Sequence, residues 1–292
     1  MGRLDQVILG KKNQIRLALT CLLARGHLLI EDIPGIGKTT LAKSLGAVLG
    51  LDFRRVQFTA DLLPADVLGV SVFDASSASF VFHPGPVFTH VLLADEINRG
   101  TPRVQSALLE VMEERQVSLD SETRFLPRPF FVLATQNALD QAGTYPLPES
   151  QLDRFLFRIS LGYPDLESEM ELLDRAHDAG RPTLPAPLMN AEQVSAVQDQ
   201  VDQVHTTRPL LRYIRDLLDW TRTGERFING LSPRAGQALV RASRAWAFLD
   251  DRDYVLPEDV QAVFPSLAGH RLQPAHGATV DAAGVLDAVP IP

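Results

Sequence analysis

Cysteine is almost missing from this chain: Cys21 stands alone among 292 residues, so no internal disulfide can form and the fold must rest on its core. Cys21 lies in the apolar run Leu17 to Leu23, which makes a buried structural thiol the expected role. Long hydrophobic runs are missing as well. No window approaches the roughly 18 consecutive apolar residues that span a bilayer, and the opening MGRLDQVILGKKNQ has no long apolar segment, so the cytoplasm is the expected compartment. Positive charge is in deficit. With 28 Lys and Arg against 36 Asp and Glu, the formal net charge is -8, which argues against a broad surface for nucleic acid or anionic membrane. No internal repeat or low-complexity tract is present. What the chain does have is 45% hydrophobic residues, enough to bury a sizeable core, in a length that favours two compact units.

The stretch HLLIEDIPGIGKTTLAKSLG, residues 27 to 46, reads as strand, loop and helix. His27 to Ile30 is a short apolar run, and Leu41, Leu45, Val48 and Leu49 recur at helical spacing. Between them the loop Ile33-Pro34-Gly35-Ile36-Gly37, with Lys38, Thr39 and Thr40, has the composition of a phosphate cradle. Its glycines let backbone N–H groups turn inward, Lys38 reaches the β/γ-phosphates, and Thr39 offers a hydroxyl to Mg²⁺ at the helix N-terminus. A bare glycine turn is often only a turn; Lys38-Thr39 and the flanking elements decide for triphosphate. The position where such loops usually carry their first glycine is Asp32.

Two further strands end in polar residues. Val91 to Ala94 runs into Asp95-Glu96, and carboxylates at the exit of a buried strand carry a cost unless they pair or bind a metal. Asp95 is expected to hold Mg²⁺ through its water shell, and Glu96 to polarise the water that attacks the γ-phosphate. Phe130 to Ala134 is followed by Asn137, whose amide is placed to orient that water, although an Asn after a strand is in general a turn former. Leu51 to Phe58 and Phe155 to Leu161 supply two more strands. The fold expected is α/β, an open parallel five-stranded sheet with its ligand beyond the carboxyl ends of the strands. Two connections, 59–90 and about 116–128, exceed ordinary lengths and read as insertions; the latter has the pattern of a hairpin with Asp120 to Thr123 at its tip.

In order along the chain, EDIPGIGKT, QFTADLLPADVLGV, ADEINRGTPRVQSALLEVMEERQV, ATQN, GTYPLPESQLDRF and LSPRA resemble the MoxR family of AAA+ ATPases. Nucleotide chemistry does not require LLPADVLG, MEERQV or YPLPESQLDRF, so their joint presence makes the match specific, and Asp32 is usual in that family. The resemblance implies a P-loop ATPase with a C-terminal helical lid, ATP and Mg²⁺ as ligands, and a homo-oligomeric ring, most often hexameric. It further implies chaperone-like remodelling or maturation of protein complexes, with a von Willebrand factor A domain protein as a possible client. The alternative is a nucleic-acid motor or loader, against which the acidity and the acidic tip of the hairpin insertion argue.

The resemblance also assigns roles. Arg154 in LDRF is similar to an arginine finger for the phosphate of a neighbouring subunit. Arg234 in LSPRA resembles the second sensor, on the lid, touching the phosphates of its own subunit. Gln57 is a possible polar restraint on Glu96. The insertions are expected to face a central pore, and Phe73, Phe80, Phe82 and Phe88 either grip polypeptide or pack beneath their own loop, with packing the first reading for most of them. The nucleotide-binding domain is expected over 1–162. A helical lid follows over 163–292, anchored by Trp220 and Trp246, with a loop at 181–188 and a tail from Val285 that folds back.

Overall fold

The computed structural model describes residues 2–120, 122–137, 143–177, 186–275 and 280–291. Helices α1 (Gly2–Asp5) and α2 (Lys12–Leu23) lead into β1 (Leu28–Glu31), and the loop after it opens α3 (Lys38–Val48). Strand β2 (Phe53–Gln57) is followed by α4 (Pro64–Leu68) and an antiparallel hairpin of β3 (Gly69–Asp74) and β4 (Ser79–Pro84). Next come β5 (Val91–Asp95), a 3-10 turn over Ile97–Arg99, and α5 (Pro102–Glu114). Another hairpin, β6 (Gln116–Leu119) and β7 (Glu122–Phe125), precedes β8 (Phe131–Gln136), α6 (Glu149–Leu152) and β9 (Phe157–Ile159). The described remainder is helical: α7 (Leu166–His177), α8 (Ala191–Asp202), α9 (Arg208–Arg222), α10 (Pro233–Phe248), α11 (Pro257–Ala268) and α12 (Ala282–Ala288).

The five strands expected of the sequence form one sheet in the order β2-β5-β8-β1-β9, with every pairing parallel. Alternation along each strand sorts its side chains onto two faces. Leu28, Ile30, Val91, Leu93, Phe131 and Leu133 join one buried cluster with α2, α3 and the C-terminal helices. Leu29, Leu92, Ala94, Val132 and Ala134 join the other, with Val104, Leu108 and Leu109 of α5. Cover on both faces explains why these runs are continuously apolar rather than alternating. All carboxyl ends of the sheet therefore point one way, and the loops there are the ones that carry the polar residues.

The helical half is an amphipathic assembly. α9 buries Leu210, Tyr213, Ile214, Leu217 and Leu218 on one face, and Thr207 caps its start by accepting from Leu210 N. Trp246 is buried and Trp220 packs partly buried against the same cluster, as expected of anchors. Cys21 is buried, and the tail does fold back, with Val285 of α12 in the core. The loop expected at 181–188 falls largely outside the described residues.

Two expectations are corrected. Leu119 pairs with Glu122 and Ser118 with Thr123, so the tip of the β6-β7 hairpin is narrower than Asp120 to Thr123, because residues 122 and 123 already belong to the ladder. Among the insertion aromatics, Phe82 and Phe88 pack edge to face at 5.6 Å. Phe73 and Phe80 instead pair on the outside of β3-β4, 56% and 73% exposed. Phe80 and Phe82 lie two apart on β4 and share a face of the hairpin, but only Phe82 is covered, with the Arg124 guanidinium 4.1 Å over its ring.

Candidate active site

The phosphate loop has the backbone its sequence demands. Gly35 and Gly37 adopt φ of 86° and 94°, the left-handed region that only glycine enters without strain, and open space surrounds both. Lys38 donates from Nζ to Asp32 O at 2.7 Å. Burial lowers its pKa below that of an ordinary amine, while the carboxylates of Asp32, Asp95 and Glu96 pull it back up.

Asp32 is the hub of this loop. Its Oδ2 accepts from Ser160 Oγ at 2.8 Å and from Leu161 N and Gly162 N at 2.7 Å each. Its Oδ1 accepts from Ile33 N at 2.9 Å. Burial alone would raise this carboxyl, but the bonds from Gly162, Ser160, Ile33 and Leu161 outweigh it and hold its pKa below the usual carboxylate value. The segment so tied continues into Tyr163 and Pro164, which line a cavity of about 590 Å³ with Val7, Ile8, Ile36 and Leu172. Its apolar walls beside the phosphate loop suit a nucleotide base. Leu172 and Val7 could not have been found from the motifs, because they arrive from distant helical and N-terminal segments.

Glu96 sits at φ 54°, ψ 51°, a left-handed conformation that costs a β-carbon residue free energy and is characteristic of functional turns. Thr135 of β8 fixes this corner. Its Oγ1 donates to Asp95 Oδ1 at 2.6 Å, and Glu96 N donates to Thr135 Oγ1 at 2.8 Å. Asp95 Oδ2 is held by Arg55, from Nε at 3.0 Å and Nη2 at 2.6 Å. Gln57 donates from Nε2 to Glu96 Oε2 at 2.8 Å, which is the contact expected of a restraint. Asn137 follows β8 and lines a cavity of about 460 Å³ with Glu31, Gln136 and Arg158. The phosphate loop, Asp95, Glu96 and Asn137 thus gather at the carboxyl ends of β1, β5 and β8.

Among the described residues no group of three or more His, Cys, Asp and Glu could hold a metal. The Thr39 hydroxyl and the Asp95 carboxylate nonetheless fit Mg²⁺, which takes most of its ligands from phosphate and water.

Arg154 and Arg234 lie elsewhere. Arg154 precedes β9, and Leu156 N donates to His27 O at the amino end of β1. Arg154 pairs with Glu113 at 3.2 Å, and Arg234 pairs with the same carboxylate at 2.9 Å. Glu113 lies in the last turn of α5, which has returned antiparallel to the amino ends of the strands. Arg234 is therefore placed at the opposite end of the sheet from its own phosphate loop, and the own-subunit contact expected of it is corrected. LSPRA itself is a helix start: Ser232 accepts from Ala235 N at 3.1 Å and Pro233 takes the first turn of α10. An arginine in a first turn opposes the helix dipole, and Glu113 offsets that. Arg271 of the lid seats the Arg154 loop by donating to Asp153 Oδ1 at 2.6 Å and to Phe155 O at 2.7 Å. The cleft containing both arginines measures about 410 Å³ and is also lined by Arg25, Arg115 and Arg241.

Sequence comparison agrees with this geometry. A family model described as ATPase family associated with various cellular activities (AAA) matches residues 27–157, and an AAA lid domain model matches 220–287. The chain is an AAA-type ATPase, and so a nucleotide-binding enzyme. It is 44% identical over 269 residues to the uncharacterized protein YeaC of Bacillus subtilis, covering 92% of this chain and 84% of that one. It is 38% identical over 285 residues to Chaperone MoxR1 of Mycobacterium tuberculosis, covering 94% and 75%, and 32% identical over 291 residues to Protein MoxR of Methylorubrum extorquens, covering 91% and 84%. A crystal structure of a "putative ATPase" from Cytophaga hutchinsonii superposes with a TM-score of 0.92 at 36% identity, over 100% of this chain and 93% of that one. The chain belongs to the MoxR family of AAA+ ATPases.

Proposed function

We propose that this ATPase works as a Mg²⁺-dependent homo-oligomeric ring, most often a hexamer, and couples hydrolysis to chaperone-like remodelling or maturation of protein complexes. On this reading residues 1–162 bind nucleotide and residues 163–292 form the lid. Ile33 to Thr40 cradle the phosphates and Lys38 neutralises the β/γ-oxygens. Thr39 and Asp95 hold the cation, which shields charge developing on the phosphates when bound. Glu96 takes the proton of the attacking water, and Asn137 orients that water. Arg154 and Arg234 act on the nucleotide of a neighbouring subunit.

One observation carries the reading: both arginines share Glu113 at the end of the sheet away from the phosphate loop. A single chain holds two half-sites and cannot join them. The chaperone role rests on the name of the mycobacterial relative and on the exposed Phe73 and Phe80 pair, an apolar contact surface for polypeptide. A von Willebrand factor A domain protein is the client to try first, in the cytoplasm; among the described residues no helix is long and apolar enough to cross a membrane.

The test is subunit mixing. Arg154→Ala should bind ATP normally and lose turnover by about a thousandfold or more. Arg154→Ala mixed with Lys38→Ala should then regain hydrolysis, since mixed assemblies restore interfaces with an intact loop and an intact finger. Mixed assemblies that form, verified with labelled protein, yet stay inactive would refute the action in trans.

A further inference from the structure

No motif assigns Arg55 a role, yet it is the centre of a small network at the hydrolytic carboxylates. β2 is an edge strand, and its register sets Arg55 beside Leu93 and Gln57 beside Asp95. Residues 55 and 57 project on one face of the strand, so Arg55 reaches diagonally to Asp95 while passing Gln57. It does both. Nε and Nη2 converge on Asp95 Oδ2 at 3.0 and 2.6 Å, and Nη2 also donates to Gln57 Oε1 at 2.7 Å. That bond fixes which way the Gln57 amide faces, with Nε2 turned to Glu96 Oε2 at 2.8 Å.

Both Asp95 oxygens are engaged. Oδ1 is taken by Thr135 Oγ1 at 2.6 Å, and Oδ2 by the guanidinium. Its side chain is 12% exposed, whereas that of Arg55 is 47% exposed, so the carboxylate is fixed and the cation has room to leave. A divalent ion brought to the water shell of Oδ2 would stand beside a full positive charge, and the two repel at such range.

We propose that Arg55 is a resident cation on the metal carboxylate that Mg²⁺ must displace, and that its departure releases Gln57 and with it Glu96. Binding of metal-bound nucleotide is thereby tied to freeing the general base. Without metal, Arg55 neutralises Asp95 and Gln57 restrains Glu96, whose Oε2 also lies 3.3 Å from Arg99 Nη1; with metal, the same guanidinium that leaves Oδ2 also leaves Gln57 Oε1. The proposal rests on the reading of Asp95 as the metal carboxylate.

The experiment titrates Mn²⁺ into the full-length protein saturated with a non-hydrolysable ATP analogue and reads bound metal by electron paramagnetic resonance. In the native chain, Asp95→Asn must weaken Mn²⁺ binding; if it does not, the metal reading fails and the displacement with it. Given that weakening, Arg55→Gln should bind Mn²⁺ about three- to tenfold more tightly, the scale of a half-exposed ion pair removed from competition. Arg55→Lys, which keeps the charge, should stay closer to the native affinity. Gln57→Ala, which removes one neutral bond to Arg55 but leaves the guanidinium on Asp95, should tighten Mn²⁺ less than Arg55→Gln does. A merely structural ion pair would lower the unfolding temperature of Arg55→Gln without tightening the metal. Equal or weaker Mn²⁺ binding by folded Arg55→Gln overturns the proposal, and so does tightening by Arg55→Lys equal to that of Arg55→Gln.

Discussion

Replacing Asp32 tests how the phosphate loop is held. Asp32 is 9% exposed, and its carboxylate accepts four hydrogen bonds, three of them from 160–162, the strand exit that leads into the lid. Asp32→Asn can keep an oxygen toward 160–162, but its NH₂ then faces Ile33 N, a second donor. One acceptor and the charge are lost, at a cost of about 2–3 kcal/mol by the scale for hydrogen bonds to ionised groups. Asp32→Gly loses all four and leaves Leu161 N buried without an acceptor, so about 4–5 kcal/mol is expected. The pH dependence has a definite sign. The folded pKa lies below the unfolded value of about 3.9, so this contribution is fully present above about pH 4 and is lost as pH falls through the folded pKa. Urea unfolding of the three proteins should therefore show a gap that is constant from about pH 5 to 8 and narrows in acid. Calorimetric titration should also show weaker ATP binding in the order native, Asn, Gly, because Tyr163 of the base cavity lies on the tied segment. A glycine variant within about 1 kcal/mol of native stability, or ATP affinity unchanged in both variants, would refute this account of the loop.

Other outcomes follow from the same geometry. Lys38→Ala should abolish measurable ATP binding in a calorimetric titration while leaving the circular dichroism unchanged, whereas Glu96→Gln should bind ATP and turn it over about a hundredfold more slowly in a phosphate-release assay. Glu113→Gln should cost no more than about 1 kcal/mol in urea unfolding, since both its ion pairs are partly exposed. Its turnover per subunit should nevertheless change, because Arg154 and Arg234 lose their common seat.

The fold was legible because parallel strands buried on both faces write themselves as short apolar runs: Val91 to Ala94 and Phe130 to Ala134 mark β5 and β8 to within two residues. Strand ends were less so. Phe155 and Leu161 are buried but lie outside β9, since burial alone does not require pairing. Within the site, motif spacing names the residues that gather at the carboxyl ends of β1, β5 and β8, but not the residues that support them. Thr135 was inside ATQN and Glu113 inside MEERQV, but a hydroxyl that bridges two strands and a carboxylate that gathers two distant arginines depend on tertiary neighbours. Arg55 carried a weaker signal still: a charged residue in a strand reads as solvent-facing until the strand beside it is known. The placement of Arg234 was misjudged for the same reason, because a motif gives the helix start and not the side of the molecule on which that helix packs.

Because the phosphate loop and the Arg154–Arg234 cleft lie at opposite ends of one sheet, an interface that joins them in the proposed assembly brings different surfaces of identical subunits together. Where that contact is heterologous, repeating it generates either a closed ring or an open filament according to whether the rotation closes. A twofold dimer meets the same need only if it runs antiparallel, so that each phosphate loop faces the partner's cleft within one interface. Glu113 then has a natural place in the cycle. Alone, it holds two arginines that would otherwise stand unpaired in a cleft already rich in guanidinium, with Arg25, Arg115 and Arg241 in the same lining. When a neighbour brings a triphosphate, a stronger and more highly charged acceptor competes for the same two cations. The carboxylate that seats the finger in the free subunit is thus displaced at one end of the molecule, as Arg55 is proposed to be displaced at the other. In both places a weak, half-exposed ion pair is given up for a ligand that carries more charge, which lets the two half-sites wait in order without binding each other's partners too tightly to release them.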